Sequence, residues 1–316
     1  MADSVVINEV GLRDGLQNQQ RPISTANKLE LARRLLASGI RNLEVTSFVH
    51  PQRVPQLADA EALIAGLPAR EGVRYTALIP NLRGYQRARA AGVRQLALVL
   101  GATDTFNRRN INLSLEDARR VCREVLARAR ADDVPVCVYL ACACACPYEG
   151  VTPLDRVLAL AGEMFASGAS QVSVADTIGA GTPQQVFEVC RPLVEEYGAA
   201  RVSLHVHDTR GRAVAMVWSG YLAGVRNFDA AIGGLGGCPF APGAAGNAAT
   251  EDLVALFNDS GIETGIDFAA LMPALELAET MTGQVLGGRS MDWWRARCIR
   301  EVVGGEVTEH MLGTTI

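Results

Sequence analysis

The chain has 316 residues, of which 49% are hydrophobic and 20% are charged. This composition is typical of a globular protein with a large core, and the length permits one large α/β domain or two smaller ones. The net charge of −4 is spread along the chain, which argues against a nucleic-acid partner held by a basic surface. No apolar stretch is long enough to span a bilayer, so we expect no membrane partner. No signal-like segment follows Met1, and we therefore expect a cytoplasmic location.

Short runs of β-branched and apolar residues alternate along the chain with amphipathic helical patterns. Eight strands are predicted in chain order, at residues 5–10, 42–46, 74–78, 95–100, 136–140, 171–175, 201–205 and 227–231. The clearest helical patterns lie at residues 25–38, 115–131, 153–167, 183–197 and 250–260. Ser114 and Thr182 are candidate N-caps, and glycine follows the predicted helix ends at Gly39, Gly168 and Gly198.

A strand followed by a helix, repeated eight times, is the pattern of a (β/α)₈ barrel, also called a TIM barrel. We place this barrel at residues 1–260 and expect residues 261–316 to form a helical C-terminal extension packed on it. A doubly wound open sheet has the same alternation and is the main alternative. No G-x-G-x-x-G sequence follows the first strand, which argues against that alternative.

Eight cysteines are too few for a disulfide scaffold in a chain of this length. Cys142, Cys144 and Cys146 alternate with alanine, a pattern that could suggest a thiolate metal site. Zinc sites of that kind usually draw their ligands from two separated pairs, and the chain has no second pair with this spacing. We therefore expect reduced thiols near the end of a strand.

The seventh predicted strand leads into His205-Val206-His207-Asp208, which contains two of the four histidines. Residues i and i+2 of a strand face the same side, so both imidazoles point into one space. Two such nitrogens followed by a carboxylate suit a divalent metal ion. Two exposed or hydrogen-bonded histidines at a strand end would give the same pattern, so the rest of the chain must decide.

In a (β/α)₈ barrel the C-terminal ends of the strands meet at one rim, where catalytic residues collect. Polar or reactive side chains lie near the ends of strands one, two, five, six and seven and in the loop after strand eight: Arg13, Asp14, Gln17, Glu44, Ser47, Tyr139, Cys142, Ser173, Asp176, His205, His207, Arg210, Cys238 and Asn247. Taken singly, Asp14, Asp176 and Asn247 could cap a turn or a helix, and Cys238 could be a small buried hydrophobe. Their joint placement at one rim favours a functional site.

Four of these residues can form a mixed oxygen and nitrogen site with room for water and substrate. They are Asp14, His205 and His207, with the carbonyl of Asn247 as a fourth ligand. Such a ligand set without thiolate suits Mg²⁺ or Mn²⁺, with Zn²⁺ as an alternative.

These motifs resemble the 3-hydroxy-3-methylglutaryl-CoA lyase family, within a wider group of metal-dependent aldolase-like barrels that also contains isopropylmalate and homocitrate synthases. The matching stretches follow in order along most of the barrel: residues 9–18 (EVGLRDGLQN), 44–49 (EVTSFV), 146–150 (CPYEG), 176–183 (DTIGAGTP), 205–209 (HVHDT), 233–239 (GGLGGCP) and 246–252 (GNAATED). The glycine-rich stretch with its cysteine is specific to the lyases, and the synthases lack it.

The resemblance implies a retro-Claisen cleavage of a 3-hydroxy-3-carboxyalkyl acyl-CoA thioester. The substrate would be 3-hydroxy-3-methylglutaryl-CoA or a close analogue, and the products would be acetyl-CoA and a keto acid. The metal, held by Asp14, His205, His207 and Asn247, would chelate the 3-hydroxyl and an acyl oxygen and polarise the bond to be cut.

The resemblance also implies roles for the residues around the metal. Arg13 would stabilise the oxyanion of the enolate, and Glu44 would fix Arg13. Cys238 would deliver or relay a proton to the enolate carbon, from a loop whose glycines let it close over the substrate. Asp176 is a candidate for the base or for a supporting role, and the identity of the general base stays open. We assign six residues to substrate binding: Arg13, Gln17, Ser47, Tyr139, Ser173 and Arg210. We also expect a homodimer or a higher homo-oligomer.

The chain departs from the usual lyase pattern after strand seven. Arg210-Gly211-Arg212 and Met216 stand where the lyases usually have Tyr-Gly-Gln and a later Asn, and residues 19–20, 50–53 and 293–295 also differ. Changes at positions remote from the reaction would explain this, and so would a changed acyl pocket. In the second case the guanidinium of Arg210 would favour another carboxylate or a CoA phosphate.

Three alternatives to a 3-hydroxy-3-methylglutaryl-CoA lyase follow from these departures. The nearest is a lyase for a related thioester such as citramalyl-CoA. A condensing synthase fits less well, because it needs a different loop after strand eight. A barrel that has lost activity and serves as a binding module is opposed by the intact set of Arg13, the metal ligands and Cys238.

Overall fold

A closed barrel of eight parallel strands forms the centre of the molecule in the computed structural model, which describes residues 3–237 and 246–302. Each strand pairs with its neighbours in chain order, and the first pairs with the eighth. The barrel strands, numbered one to eight here, are Val6–Glu9, Asn42–Ser47, Arg74–Leu78, Gln95–Gly101, Val136–Ala141, Gln171–Asp176, Val202–Val206 and Asn227–Ala230. The predicted (β/α)₈ barrel is confirmed, with every strand within one residue of its expected bounds. The doubly wound alternative is wrong, because an open sheet would have two edge strands.

The α-helices surround the barrel and follow the strands. They are α1 Thr25–Ala37, α2 Ala60–Gly66, α3 Leu82–Ala90, α4 Asp104–Ile111, α5 Leu115–Ala131, α6 Leu154–Ser167, α7 Pro183–Tyr197, α8 Ala213–Leu222, α9 Thr250–Asp259, α10 Phe268–Thr282 and α11 Met291–Val302. The bounds predicted for α5 and α7 are confirmed, and those of α1, α6 and α9 differ by one residue. Ser114 accepts a hydrogen bond from the Asp117 amide, and Thr182 forms a capping box with Gln185, so both predicted N-caps are present.

The two faces of the barrel strands differ in polarity. Alternate residues, such as Leu96, Leu98 and Leu100 of strand four, belong to the hydrophobic core between strands and helices. The intervening residues face the inside of the barrel, where polar side chains line a small cavity of about 60 Å³. Bulky aliphatic side chains usually fill this space in such barrels. Here the apolar packing lies almost wholly outside the sheet.

The stretch of alternating cysteines lies where it was expected, directly after strand five. Cys142, Cys144 and Cys146 are buried, and a short hairpin pairs Ala145–Cys146 with Gly150–Val151. Over residues 3–237 and 246–302, no thiolate cluster with metal-binding geometry is found.

The predicted helical C-terminal extension is present. Helix α10 packs against α1, and α11 follows it. The division between barrel and extension at residue 260 stays a prediction. Within the described part of the chain, no helix has the length and apolar character needed to cross a membrane.

Candidate metal centre and active site

Three potential metal ligands meet at the C-terminal rim of the barrel. Asp14 follows strand one, His205 belongs to strand seven and His207 follows it, and one ligand atom from each lies within 4.8 Å of the others. All three residues are more than nine-tenths buried. The Nε2 atoms of the two histidines are 3.2 Å apart. Two ligands at right angles on an ion, each at about 2.1 Å, would lie about 3 Å apart, so the spacing fits a shared cation.

Asn247 lies beside this cluster, as the sequence predicted. It pairs with His207 in an isolated antiparallel bridge, and its Nδ2 donates to Asp14 Oδ2 and to the Leu235 carbonyl, both at 2.9 Å. Its buried Oδ1 has no hydrogen-bond partner among the described residues. A buried carbonyl oxygen of this kind fits a cation ligand. The alternative that Asn247 caps α9 is wrong, because Ala249 occupies the N-cap position.

A π-helical turn, Gly11–Gly15, positions Asp14 directly after strand one. A Cβ atom at Gly11 would lie 2.5 Å from Glu9 Oε1, so the turn needs glycine there. The buried Glu9 carboxylate accepts hydrogen bonds from the amides of Gly11 and Ile232 and from the Thr250 hydroxyl. These hydrogen bonds join the turn to residues on either side of the loop between strand eight and α9. Burial raises the pKa of Glu9 to about 7.

Arg13 points away from the solvent and is held by a carboxylate on strand two. Its Nε and Nη2 atoms donate to the two oxygens of Glu44 at 2.7 and 3.1 Å. The Tyr139 hydroxyl donates to Glu44 Oε2 at 2.7 Å, and the guanidinium carbon lies 5.7 Å from the Tyr139 ring centre. The two hydrogen bonds to Glu44 fix the plane of the guanidinium. The predicted pairing of Glu44 with Arg13 is therefore present.

Arg13 and Asp14 also interact with each other, through Nη1 and Oδ1 at 2.5 Å. Burial by itself would lower the pKa of Arg13, but the carboxylates of Glu44 and Asp14 outweigh burial and raise it above its usual value. Burial would raise the pKa of Asp14, but Arg13 and the two histidines outweigh burial and hold that pKa well below its usual range. Asp14 is therefore an anion at neutral pH, as a metal ligand must be.

Asp176 ends strand six and is fully buried. Its carboxylate accepts from the amides of Ala180 and Gly181 at 3.2 and 2.9 Å and so holds the turn before α7. It does not cap that helix, since Thr182 does. Burial raises the pKa of Asp176, and the hydrogen bonds from the amides of Gly181 and Ala180 act in the opposite direction. Arg210 is exposed, in the stretch after strand seven where the sequence departs from the usual lyase pattern.

The remaining predicted residues differ in how closely they approach the cluster. Gln17 donates to Asp14 Oδ1 at 3.1 Å. Ser47 and Ser173 are buried in strands two and six, and no hydrogen bond among the described residues links either side chain to the metal ligands. Cys238 lies outside the described residues, so its predicted role is untested.

A carboxylate that sequence reasoning missed orients one of the histidines. Asp229 of strand eight lies 3.1 Å from His205 Nδ1 through its Oδ2 atom. The signal was available, because Asn227 and Asp229 are polar residues at alternate positions of a strand and therefore share its inner face. Glu9 and Glu251 were also missed as structural carboxylates, although both lie inside quoted motifs.

The fold and this site define a class: a (β/α)₈ barrel that carries, at its C-terminal rim, an Asp-His-His cluster able to hold a metal ion, with Asn247 and a carboxylate-bound arginine beside it. The family model described as HMGL-like matches residues 4–278, and the chain belongs to this family. It is therefore a carbon–carbon lyase of the hydroxymethylglutaryl-CoA lyase type.

Three relatives illustrate the range of the family. The chain is 38% identical to hydroxymethylglutaryl-CoA lyase YngG of Bacillus subtilis, over 92% of this chain and 98% of that protein. It is 39% identical to (R)-citramalyl-CoA lyase of Chloroflexus aurantiacus, over 90% and 93% of the two chains. The solved structure of an HMG-CoA lyase from Acinetobacter baumannii in complex with coenzyme A and 3-methylmalate superposes with a TM-score of 0.88 at 34% identity, covering 92% of this chain and 95% of that one.

Proposed function

We propose that this protein cleaves 3-hydroxy-3-methylglutaryl-CoA, or a close analogue, to acetyl-CoA and a keto acid. The observation that carries the proposal is the position of Arg13, clasped by Glu44 and in contact with the metal ligand Asp14. The fixed positive charge of Arg13 lies next to the proposed metal site. This arrangement suits a reaction in which an enolate oxyanion develops beside a hydroxyl group that the metal chelates. The relative crystallised with coenzyme A supports an acyl-CoA substrate.

Asp14, His205, His207 and Asn247 would hold the cation. When bound, a divalent cation supplies Lewis acidity that polarises the 3-hydroxyl and an acyl oxygen of the substrate. The charge and ligand types favour Mg²⁺ or Mn²⁺, with Zn²⁺ as the alternative. Activity of chelator-stripped protein reconstituted with each ion in turn would identify the metal.

Arg13 would stabilise the enolate oxygen of the departing acetyl-CoA. Its guanidinium is already oriented by Glu44, so little reorganisation is needed when the negative charge develops. Cys238 would return a proton to the enolate carbon, and Asp176 remains the candidate base or supporting carboxylate. Gln17, Ser47, Tyr139, Ser173 and Arg210 would line the substrate site.

A citramalyl-CoA-type substrate is the second candidate, and Arg210 favours it. This exposed guanidinium follows strand seven at the rim of the barrel, where it can pair with a substrate carboxylate, and a relative that is 39% identical to this chain is named for citramalyl-CoA. We expect Arg210→Tyr to shift the ratio of kcat/KM values toward 3-hydroxy-3-methylglutaryl-CoA. Arg70→Tyr is the control, because Arg70 is exposed in the loop before strand three, at the opposite end of the barrel. Unchanged kinetics in Arg210→Tyr would rule out a role in substrate choice.

A panel of 3-hydroxy acyl-CoA thioesters, incubated with the metal-loaded protein, tests the reaction itself. Release of acetyl-CoA and a keto acid from one member would identify the substrate. If no member is cleaved while metal binding is demonstrated, the proposed reaction is wrong. We also propose a cytoplasmic location and a homodimer or higher homo-oligomer, for which light scattering on the purified protein is the direct measurement.

A further inference from the structure

Asp229 and Asn8 lie next to each other beneath the metal cluster, on the inner face of the barrel. They are register partners on strands eight and one, and Asn8 Nδ2 donates to Asp229 Oδ1 at 2.9 Å. The other oxygen of Asp229 lies 3.1 Å from His205 Nδ1. Asp229 is 4% exposed, and each of its two carboxylate oxygens has a partner inside the barrel.

The hydrogen-bond roles follow from the opposite edge of the His205 ring. Its Nε2 atom faces His207 Nε2 and the Asp14 carboxylate, which are the other potential metal ligands. A metal-bound imidazole needs a free electron pair on the ligating nitrogen, so the proton belongs on Nδ1. Nδ1 then donates to Asp229. The edge of the Tyr139 ring, whose centre lies 5.7 Å from that of His205, also restricts the imidazole.

The two histidines are not supported equally. Nδ1 of His207 is buried and has no hydrogen-bond partner among the described residues. His205 is therefore the ligand whose ring orientation and tautomer are fixed from below. The polar cavity of about 60 Å³ reaches this support, since Asn8, Tyr139, Ser203 and Asp229 all line it. A polar chamber can admit water, which lowers the cost of keeping a carboxylate inside the barrel.

We propose that Asn8 and Asp229 form a positioning pair that fixes the Nδ1–H tautomer of His205 and thereby sets the affinity of the metal site. This inference rests on the proposed metal site and adds to it the two residues that support one of its ligands. An aliphatic side chain at Asp229 would leave His205 Nδ1 without an acceptor, and one at Asn8 would leave Asp229 Oδ1 without its donor.

The test measures metal affinity directly, by Mn²⁺ titration followed by electron paramagnetic resonance of the free ion. Asp229→Asn places an amide opposite His205 Nδ1, and a donating amide favours the wrong tautomer. We expect the Kd for Mn²⁺ to rise by about 10- to 100-fold. Asn8→Ala, which leaves Asp229 in place, should raise it about 2- to 5-fold. Ser203→Ala is the matched control, because Ser203 lines the same cavity from the strand of His205, and its Kd should equal that of the wild type.

The outcomes separate the pair from the site on which it rests. Wild-type affinity in a folded Asp229→Asn protein would overturn the positioning pair alone. If Asp229→Asn does not fold, wild-type affinity in Asn8→Ala would overturn it. A wild-type protein that binds no Mn²⁺ would overturn the metal site and the pair together. Side-chain ¹⁵N spectra of Mg²⁺-loaded protein add an independent reading, since the pair predicts an Nδ1–H signal for His205 that is lost in Asp229→Asn.

Discussion

At the scale of single residues, the site depends on how the buried positive charge of Arg13 is balanced by carboxylates. A buried guanidinium is costly unless carboxylates compensate it, and here Glu44 provides two hydrogen bonds while Asp14 provides one. Asp14 is also a proposed metal ligand. The two hydrogen bonds that Arg13 donates to Glu44 hold the guanidinium in place, so that Asp14 stays available to a cation.

We predict that Glu44→Gln lowers kcat by about 100-fold while KM for the thioester changes little. The variant removes the countercharge and one acceptor, so the guanidinium loses the orientation needed for the developing oxyanion. Steady-state kinetics at saturating metal measure both constants. Glu30→Gln serves as the control, because Glu30 forms only exposed ion pairs with Arg33 and Arg34. A kcat within threefold of the wild type would contradict the assigned role of Glu44.

The clustering of Asp14, His205 and His207 could be predicted from sequence, because strand alternation places the two histidines on one face and barrel geometry brings Asp14 to the same rim. The contacts of Asp229 and Asp176 could not. A side chain on strand eight meets His205 only once the barrel closes. The choice between capping a helix and holding a turn depends on backbone angles that Asp176 does not determine alone.

At the scale of elements, a short segment between α10 and α11 ties the rim together. The amides of Gly287 and Gly288 donate to the Gly233 carbonyl and to Glu251 Oε1. The amide of Arg289 donates to Asp252, and its guanidinium pairs with Asp208 directly after His207. The segment thus connects residues on either side of the loop after strand eight with Asp208, which follows His207.

We predict that Gly288→Ala destabilises the protein by about 2 kcal/mol, because the added methyl group would overpack the contact. A Cβ atom there would lie 2.3 to 2.4 Å from the Asp252 carboxylate, which several backbone amides hold in place. Urea unfolding measures the change. Gly237→Ala is the control, since a Cβ atom at Gly237 would have no heavy atom of the described residues within 4 Å. Equal free energies of unfolding for the two variants would contradict the prediction, because the segment would then shift at no cost to accommodate the added methyl group.

Helices with a strong apolar stripe or a clear cap, such as α5 and α7, could be predicted within a residue. Helix α4 could not, because its sequence is polar and only Phe106 and Asn107 are buried. It is held instead by Asn107, whose amide bonds both backbone groups of Gly101 and the Thr103 carbonyl. The π-helical turn after strand one depends likewise on the buried Glu9 carboxylate, a contact with no periodic signal in the sequence.

At the scale of the whole molecule, apolar burial and polar function occupy separate layers. The outer faces of the strands and the inner faces of the helices form the core, while the inside of the barrel carries the polar support of the site. Two fully buried carboxylates, Glu9 and Glu251, lie where these layers meet. Burial raises the pKa of each to about 7.

These two groups make the stability of the whole fold depend on pH. A carboxyl group whose folded pKa is raised keeps its proton in the folded state while the unfolded chain, with a pKa near 4.5, has lost it. Stability therefore falls as the pH rises from 4.5 to about 7 and stays low above that. Glu9→Gln removes the contribution of Glu9 to this dependence and preserves the acceptor for the amides of Gly11 and Ile232.

We therefore predict that Glu9→Gln is more stable than the wild type at pH 8, by about 3 kcal/mol at most, and that the difference is several times smaller at pH 5. Urea unfolding of both proteins at the two pH values measures it. The exposed control Glu263→Gln should change the free energy of unfolding by less than about 0.5 kcal/mol at either pH. A Glu9→Gln protein that is destabilised equally at pH 5 and pH 8 would mean that the hydrogen bonds of Glu9, and not its buried charge, dominate its contribution. In that case the hydrogen bonds of the Glu9 carboxylate would stabilise the turn that carries Asp14 by more than the burial of that carboxylate costs.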